Sequence, residues 1–106
     1  MYKLCFFVPD SHLEEVKQAL FAVGAGRIGH YDSCCWQVLG QGQFRPLPGS
    51  QPHIGAQMQL EILPEWKVEM VLSPEVARQA VETLKSSHPY EEIAYELSAL
   101  IDPDLL

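Results

Sequence analysis

Trp66-Lys67-Val68-Glu69-Met70-Val71-Leu72-Ser73-Pro74-Glu75 is the stretch on which the fold turns. Trp66, Val68, Met70 and Leu72 alternate with Lys67 and Glu69, the two-residue period of a strand with one buried face. Ser73-Pro74-Glu75 then reads as a helix start: a hydroxyl at the capping position, proline in the first turn, an acid beside the free N–H groups. Ala77, Ala80, Val81 and Leu84 follow at helical spacing and mark the buried stripe. A strand that runs straight into a capped helix is half of a β-α-β unit.

Displaced by 64 positions, the same pattern recurs near the N-terminus. Lys67 falls on Lys3, Met70 on Phe6 and Leu72 on Val8, while Ala77, Ala80 and Leu84 fall on Leu13, Val16 and Leu20. In this first copy Tyr2, Leu4, Phe6 and Val8 share a face, and Lys3, Cys5 and Phe7 share the other. Ser11 and Glu14 have capping-box spacing, and Gly24 is placed to end the helix in a left-handed conformation. Strand, helix and following strand therefore occur twice. The expected fold is α+β and ferredoxin-like, a duplicated β-α-β with a four-stranded antiparallel sheet and two helices on one face.

The other segments fit around that frame. Cys34 to Leu39 reads as the second strand, and Gly40 to Gly55 as a long extended connection rich in turn residues. Residues 56–63 alternate, with Met58, Leu60 and Ile62 expected inward, which predicts an extra strand hairpinned with 66–72 across Pro64-Glu65. Ile93, Tyr95, Leu97 and Ala99 predict the last strand. Between the second helix and that strand lies His88-Pro89-Tyr90-Glu91-Glu92, a corner where Pro89 ends helical geometry. Ile101 to Leu106 is an acidic, apolar tail.

The chain has 106 residues, 47% of them hydrophobic and 20% charged, which suits one globular domain over residues 1–106. Its net charge of −7 argues against a nucleic-acid or anionic-membrane partner. No apolar run is long enough to span a bilayer, and the N-terminal one stops at Pro9-Asp10, as a strand does and a secretion signal does not. Three cysteines, two of them adjacent, read as reduced thiols in a cytoplasm. The glycine-rich loop 26–32 follows a helix rather than a strand, so it is no phosphate cradle. The histidines and cysteines show no metal-ligand spacing, and no cofactor is expected.

Two helices cover one side of a sheet. Phe7, Trp36, Val71 and Ala94 should face the other side and leave apolar surface in want of a partner. A homo-oligomer is the expectation, a trimer favoured over a dimer.

Four motifs resemble the inserted domain of the Nif-three-like family (the NGG-one-interacting-factor-three family, with the bacterial YqfO-type proteins). They are Gly24-Ala25-Gly26-Arg27-Ile28-Gly29-His30-Tyr31-Asp32-Ser33-Cys34, Gly40-Gln41-Gly42-Gln43-Phe44-Arg45-Pro46, Pro52-His53-Ile54-Gly55 and His88-Pro89-Tyr90-Glu91-Glu92, in that order. The resemblance implies a domain similar to the CutA and PII signalling proteins, ferredoxin-like and often trimeric. It also implies a free-standing copy of the insert. The family's dinuclear metal-binding domain has no counterpart in these residues, so neither its metals nor a hydrolase activity carries over.

The leading functional expectation is a non-catalytic, oligomeric binding or regulatory module with a small-molecule or protein partner. The candidate ligand-binding residues are Arg45, His88, Tyr90, Glu91, His30 and His53. Arg45 offers a planar fork suited to carboxylate or phosphate, or else an ion pair with one of fourteen acids. The three histidines are proton-linked or metal-binding groups, or else loop residues bonded to backbone. Two other functions stand as alternatives. One is an enzyme or metal-binding protein using Cys34 with His30 or His88, although no acid or oxyanion-hole motif frames that cysteine and no residue is assigned a catalytic role. The other is a purely structural oligomerisation domain.

Overall fold

The two strand–helix copies seen in the sequence pair with one another at the centre of the molecule. The computed structural model describes all residues from Met1 to Leu106. In chain order they form β1 (Tyr2–Val8), α1 (Leu13–Ala22), β2 (Trp36–Phe44), β3 (Glu61–Leu72), α2 (Pro74–Ser87) and β4 (Tyr95–Ala99). The sheet order is β2-β3-β1-β4, and every neighbouring pair is antiparallel. Each helix thus crosses over a strand belonging to the other copy, the split β-α-β arrangement expected.

The repeat is also the core. Leu4, Phe6 and Val8 correspond to Val68, Met70 and Leu72; Leu13, Val16 and Leu20 correspond to Ala77, Ala80 and Leu84. All twelve are buried in one apolar cluster between the sheet and the two helices. The register places Phe6 opposite Val68 and Leu4 opposite Met70, so the alternating residues of both copies meet on one face. The large-to-small pairing of Leu13 and Val16 with Ala77 and Ala80 lets α1 and α2 share that face.

Gly24 ends α1 as expected. It has φ +100°, its N–H bonds the Phe21 carbonyl oxygen at 3.1 Å, and Ala25 N–H bonds that of Leu20 at 3.1 Å. That is a Schellman closure, and it needs a residue without a Cβ. The Ser11–Glu14 capping box does not form. A 3-10 turn over Asp10–His12 precedes the helix, the N-cap becomes His12, and the Ser11 hydroxyl bonds the His12 ring at 2.8 Å instead. Ser73 does stand at the N-cap of α2 with Pro74 in the first turn, but its hydroxyl makes no capping bond.

The long connection and the extra hairpin take a different form from that expected. β2 does not stop at Leu39; it runs on through Gly40–Phe44 and pairs with Glu61–Glu65. No separate strand occupies 56–63. Glu61–Leu63 are the start of a twelve-residue β3 that passes unbroken through Pro64-Glu65. Pro64 is tolerated because it lies beyond the end of β1, where β3 has a partner on one edge only. The result is a two-stranded ribbon extending past the main sheet, and the molecule measures 49 × 28 × 24 Å. Ile62 on it, and Met58 and Leu60 in the connection before it, are exposed, not inward. The 45–60 connection folds back beside the root of the ribbon.

The side of the sheet away from the helices is less apolar than expected. Lys3, Glu69 and Lys67 lie across its middle, with Lys3 Nζ 2.9 Å and Lys67 Nζ 3.9 Å from Glu69 Oε1. Apolar groups flank this charged band: Trp36 pairs opposite Glu69 and is 58% exposed, while Val38 and Phe7 both lie opposite Lys67. Alternation alone assigns a residue to a face; it does not show that lysine stems and an ion pair will cover the centre of that face. No helix is long and apolar enough to cross a membrane.

Candidate functional site

The His88-Pro89-Tyr90 corner is built from one buried ring. α2 ends at Ser87, and His88 turns extended, at φ −78° and ψ 140°, as a residue before proline should. His88 is 6% exposed. Its Nε2–H donates to the Phe7 carbonyl oxygen at 2.7 Å, and its Nδ1 accepts from Tyr90 N–H at 3.1 Å. Both nitrogens are therefore engaged in one neutral tautomer. Burial lowers its pKa, the Phe7 bond opposes that shift, and the rings of His12 and His53 add to it.

Holding His88 fixes where Tyr90 points. The two rings meet edge-on with centroids 4.9 Å apart, and Tyr90 lies 6.1 Å from Phe44 and 6.3 Å from His53. Its hydroxyl donates to Glu65 Oε2 at 3.3 Å. Burial, then the Glu65 charge and hydrogen bond, push the phenol up to about 12. Burial also raises the Glu65 carboxyl, against the lowering effect of the same bond. Gly42 makes room for this pair. A Cβ built at Gly42 would lie 2.8 Å from Glu65 Oε1, so a glycine inside β2 serves a close approach.

Glu91 ties the connection to the corner. Its Oε1 accepts from Gln51 N–H at 2.8 Å across forty residues of sequence. His53 stands edge-on to His12 at 5.4 Å. Beyond this latch the chain is also closed on itself, with Met58 N–H on the Pro46 carbonyl oxygen at 2.6 Å.

Between the corner, the ribbon root and the connection lies a cleft of about 400 Å³. Its apolar lining comes from Phe7, Phe44, Pro46, Leu47, Ile54 and Ala94, and its polar lining includes Arg45, His53, Glu65, Tyr90, Glu91 and Glu92. Four of the six residues singled out in the sequence thus converge: Arg45, His53, Tyr90 and Glu91. Arg45 is exposed and forms none of the protein's ion pairs. His88 lies beneath the cleft as its support rather than in its lining. His30 is elsewhere, at the exposed tip of the tight turn closed by Ile28 and Tyr31.

Sequence reasoning missed Glu65, Phe7 and Phe44, because each had been given to a strand face or a loop. The Gly40-x-Gly42 doublet inside β2 was the available signal, since a strand glycine marks a neighbour that comes close. Cys34 lines a separate hollow with Lys3, Trp36 and Glu69, and its Sγ donates to the Asp32 carbonyl oxygen at 3.5 Å. Neither His30 nor His88 lines that hollow. No three His, Cys, Asp or Glu side chains gather as a metal-ligating group.

With this geometry in hand, the relatives are informative. No protein-family model matches the chain. It is 42% identical over 100 residues to the GTP cyclohydrolase 1 type 2 homolog of Halalkalibacterium halodurans, covering 94% of this chain and 27% of that protein. It is 40% identical over 95 residues to the Bacillus subtilis protein of the same name, covering 90% and 26%. A Bacillus cereus protein related to NIF3 superposes with a TM-score of 0.81 at 36% identity, over 95% of this chain and 26% of the other. CutA1 from Pyrococcus horikoshii superposes with a TM-score of 0.69 at 15% identity, over 99% and 90%, which speaks to the fold alone. The chain spans about a quarter of the length of the curated relatives it matches.

Proposed function

We propose that this homologue of one segment of the NIF3-related proteins is a small, non-catalytic binding or regulatory module, working as a cytoplasmic homo-oligomer, a trimer before a dimer. On this reading residues 1–106 are a single domain, and its ligand is a small molecule taken up in the cleft at the His88-Pro89-Tyr90 corner. The observation that carries the reading is the convergence of Arg45, His53, Tyr90 and Glu91, from two segments distant in sequence, around one partly apolar cavity. A pocket of this kind, largely apolar with a few converging polar groups, is the usual form of a small-molecule site, for which volumes of roughly 300–1,000 Å³ are typical.

Within it Arg45 is the anion-recognising group. Its guanidinium is unpaired in the protein and can offer two parallel N–H donors to a carboxylate or phosphate. Tyr90 and Phe44 supply ring faces. His53 is a second donor at the rim, and Glu91 holds the connection in place. His30, on its exposed turn, takes no part in the cleft on this reading.

The test is a thermal-shift screen with inorganic phosphate, nucleotides, divalent metals and small carboxylic acids, since a ligand of the native state raises its melting temperature. The expected result is a rise with one anionic class that Arg45→Ala abolishes while the unliganded melt stays unchanged. A chain that neither these compounds nor any amino acid moves would remove the cleft from consideration.

A further inference from the structure

Resting on the reading of the cleft as a binding site, we infer that its ligand is a zwitterionic amino acid. Its carboxylate would meet Arg45, its ammonium would meet Glu91 and Glu92, and an apolar or aromatic side chain would lie against Phe44 and Tyr90. The argument starts from the charges that line the cavity: one guanidinium against three carboxylates and no lysine. Lys3 and Lys67 sit with Glu69, outside the cleft. A ligand that is only an anion would satisfy Arg45 and leave the acids facing it, and a polyphosphate would meet net repulsion.

The acids are also unequally committed. Glu65 is engaged by the Tyr90 hydroxyl. Glu91 has one oxygen on Gln51 N–H and the other free. Glu92 is exposed and enters no hydrogen bond or ion pair within the protein. Two carboxylates with spare acceptor capacity therefore lie next to each other on the corner, and an unpaired guanidinium on the connection lines the same cleft. Aromatic and proline residues share that lining. An α-amino acid carries the complementary set: one anion, one cation and one side chain on a single carbon. A pocket of about 400 Å³, at the small end of the usual range, suits a molecule of that size.

The experiment is titration calorimetry of the full chain with each of the twenty common L-amino acids. The best binder is then compared with its deaminated acid and its decarboxylated amine. Saturable binding of an amino acid is expected, with each singly charged analogue weaker by about tenfold or more, the size of one lost charge-assisted contact. Glu91→Gln combined with Glu92→Gln should weaken the amino acid about tenfold yet bind the deaminated acid as tightly as the parent or more tightly, since two repelling charges are gone, with the same circular-dichroism melt as the parent. If the deaminated acid binds as tightly as the amino acid, the zwitterion is wrong and the anion site survives. If no amino acid binds while a carboxylic acid or phosphate still shifts the melt through Arg45, the inference falls alone. If neither set binds, the inference falls together with the binding-site reading it rests on.

Discussion

His88 donates from Nε2 to the Phe7 carbonyl oxygen at 2.7 Å, joining the end of α2 to the end of β1 across eighty-one residues. Phe7 N–H is bonded to the Ala94 carbonyl oxygen at 3.2 Å, so the His88 bond locks a point where β1 and the approach to β4 already meet. The corner that orients Tyr90 is therefore rooted in the central strand.

His88→Ala should cost about 3 kcal/mol, because it leaves a cavity and removes the partners of a buried carbonyl and of Tyr90 N–H. The ring also titrates in a definite direction. Its folded-state pKa lies below the ordinary value, burial being the main cause, so the unfolded chain binds the proton more readily. Its stabilising contribution is then fully present above about pH 6.5 and is lost as the pH falls through the lower folded-state value. Urea melts from pH 7.5 to pH 5 should show a decline that is shallower in His88→Gln. A decline of equal slope in both proteins would assign the effect to the carboxylates.

Tyr90 and Glu65 make an independent test of the cleft wall. The Tyr90 phenol is pushed up to about 12, first by burial and then by Glu65. Glu65→Gln removes the charge and should bring the phenol part of the way down, read from tyrosinate absorbance in an alkaline titration. The raised pKa means that Tyr90 adds stability below about pH 10 and loses that contribution as the pH rises through 12. Gly42→Ala should lower the Tyr90 pKa as well, since the new methyl displaces the Glu65 carboxylate that lies 2.8 Å from its position. An unmoved phenol in both variants would show that burial alone raises it.

The parts of the fold that were legible in the sequence are those in which period and burial agree. Leu4, Phe6 and Val8 with Leu13, Val16 and Leu20 announce a strand and a helix that share a core, and their counterparts 64 residues later repeat the message. The Ser11 cap is not legible locally, because a residue remote in sequence takes part: Trp66 Nε1 donates to Asp10 Oδ1 at 2.9 Å, within the 3-10 turn that also takes up Ser11. The extra strand was misread because Pro64 looks like a break unless the strand's neighbours are known, and at Pro64 one neighbour is missing. In the site, Arg45, His53, Tyr90 and Glu91 were accessible through their chemistry and motif context. Glu65 was not, since an acid in a strand next to proline carries no local sign that a tyrosine twenty-five residues away will reach it.

Because the two copies share one core, equivalent leucines should be equally important. Leu20 and Leu84 are 64 positions apart, and both are fully buried between the helices and the sheet. Leu20→Ala and Leu84→Ala should each cost about 2–5 kcal/mol, and chemical denaturation should show both losses with little change in cooperativity. A loss confined to one copy would mean that the halves do not form a common core.

The exposed side of the sheet tests the proposed assembly. Its middle is occupied by Lys3, Lys67 and Glu69, so a partner copy must either match these charges or seat itself on the apolar groups around them. Trp36 is the largest of those groups and is 58% exposed beside Glu69. Large aromatic residues carry a disproportionate share of interface energy, about 2 kcal/mol or more when they are truncated at the centre of a contact. Trp36→Glu should therefore shift the oligomer to protomers in light scattering at micromolar concentration, while circular dichroism remains that of the folded chain because the tryptophan is not part of the core. Lys3→Glu should weaken assembly less, and in a salt-dependent way, since it exchanges an ion pair within the protomer for repulsion on the same face. A parent protein that is monomeric at every concentration tested would rule out this face as an interface between copies.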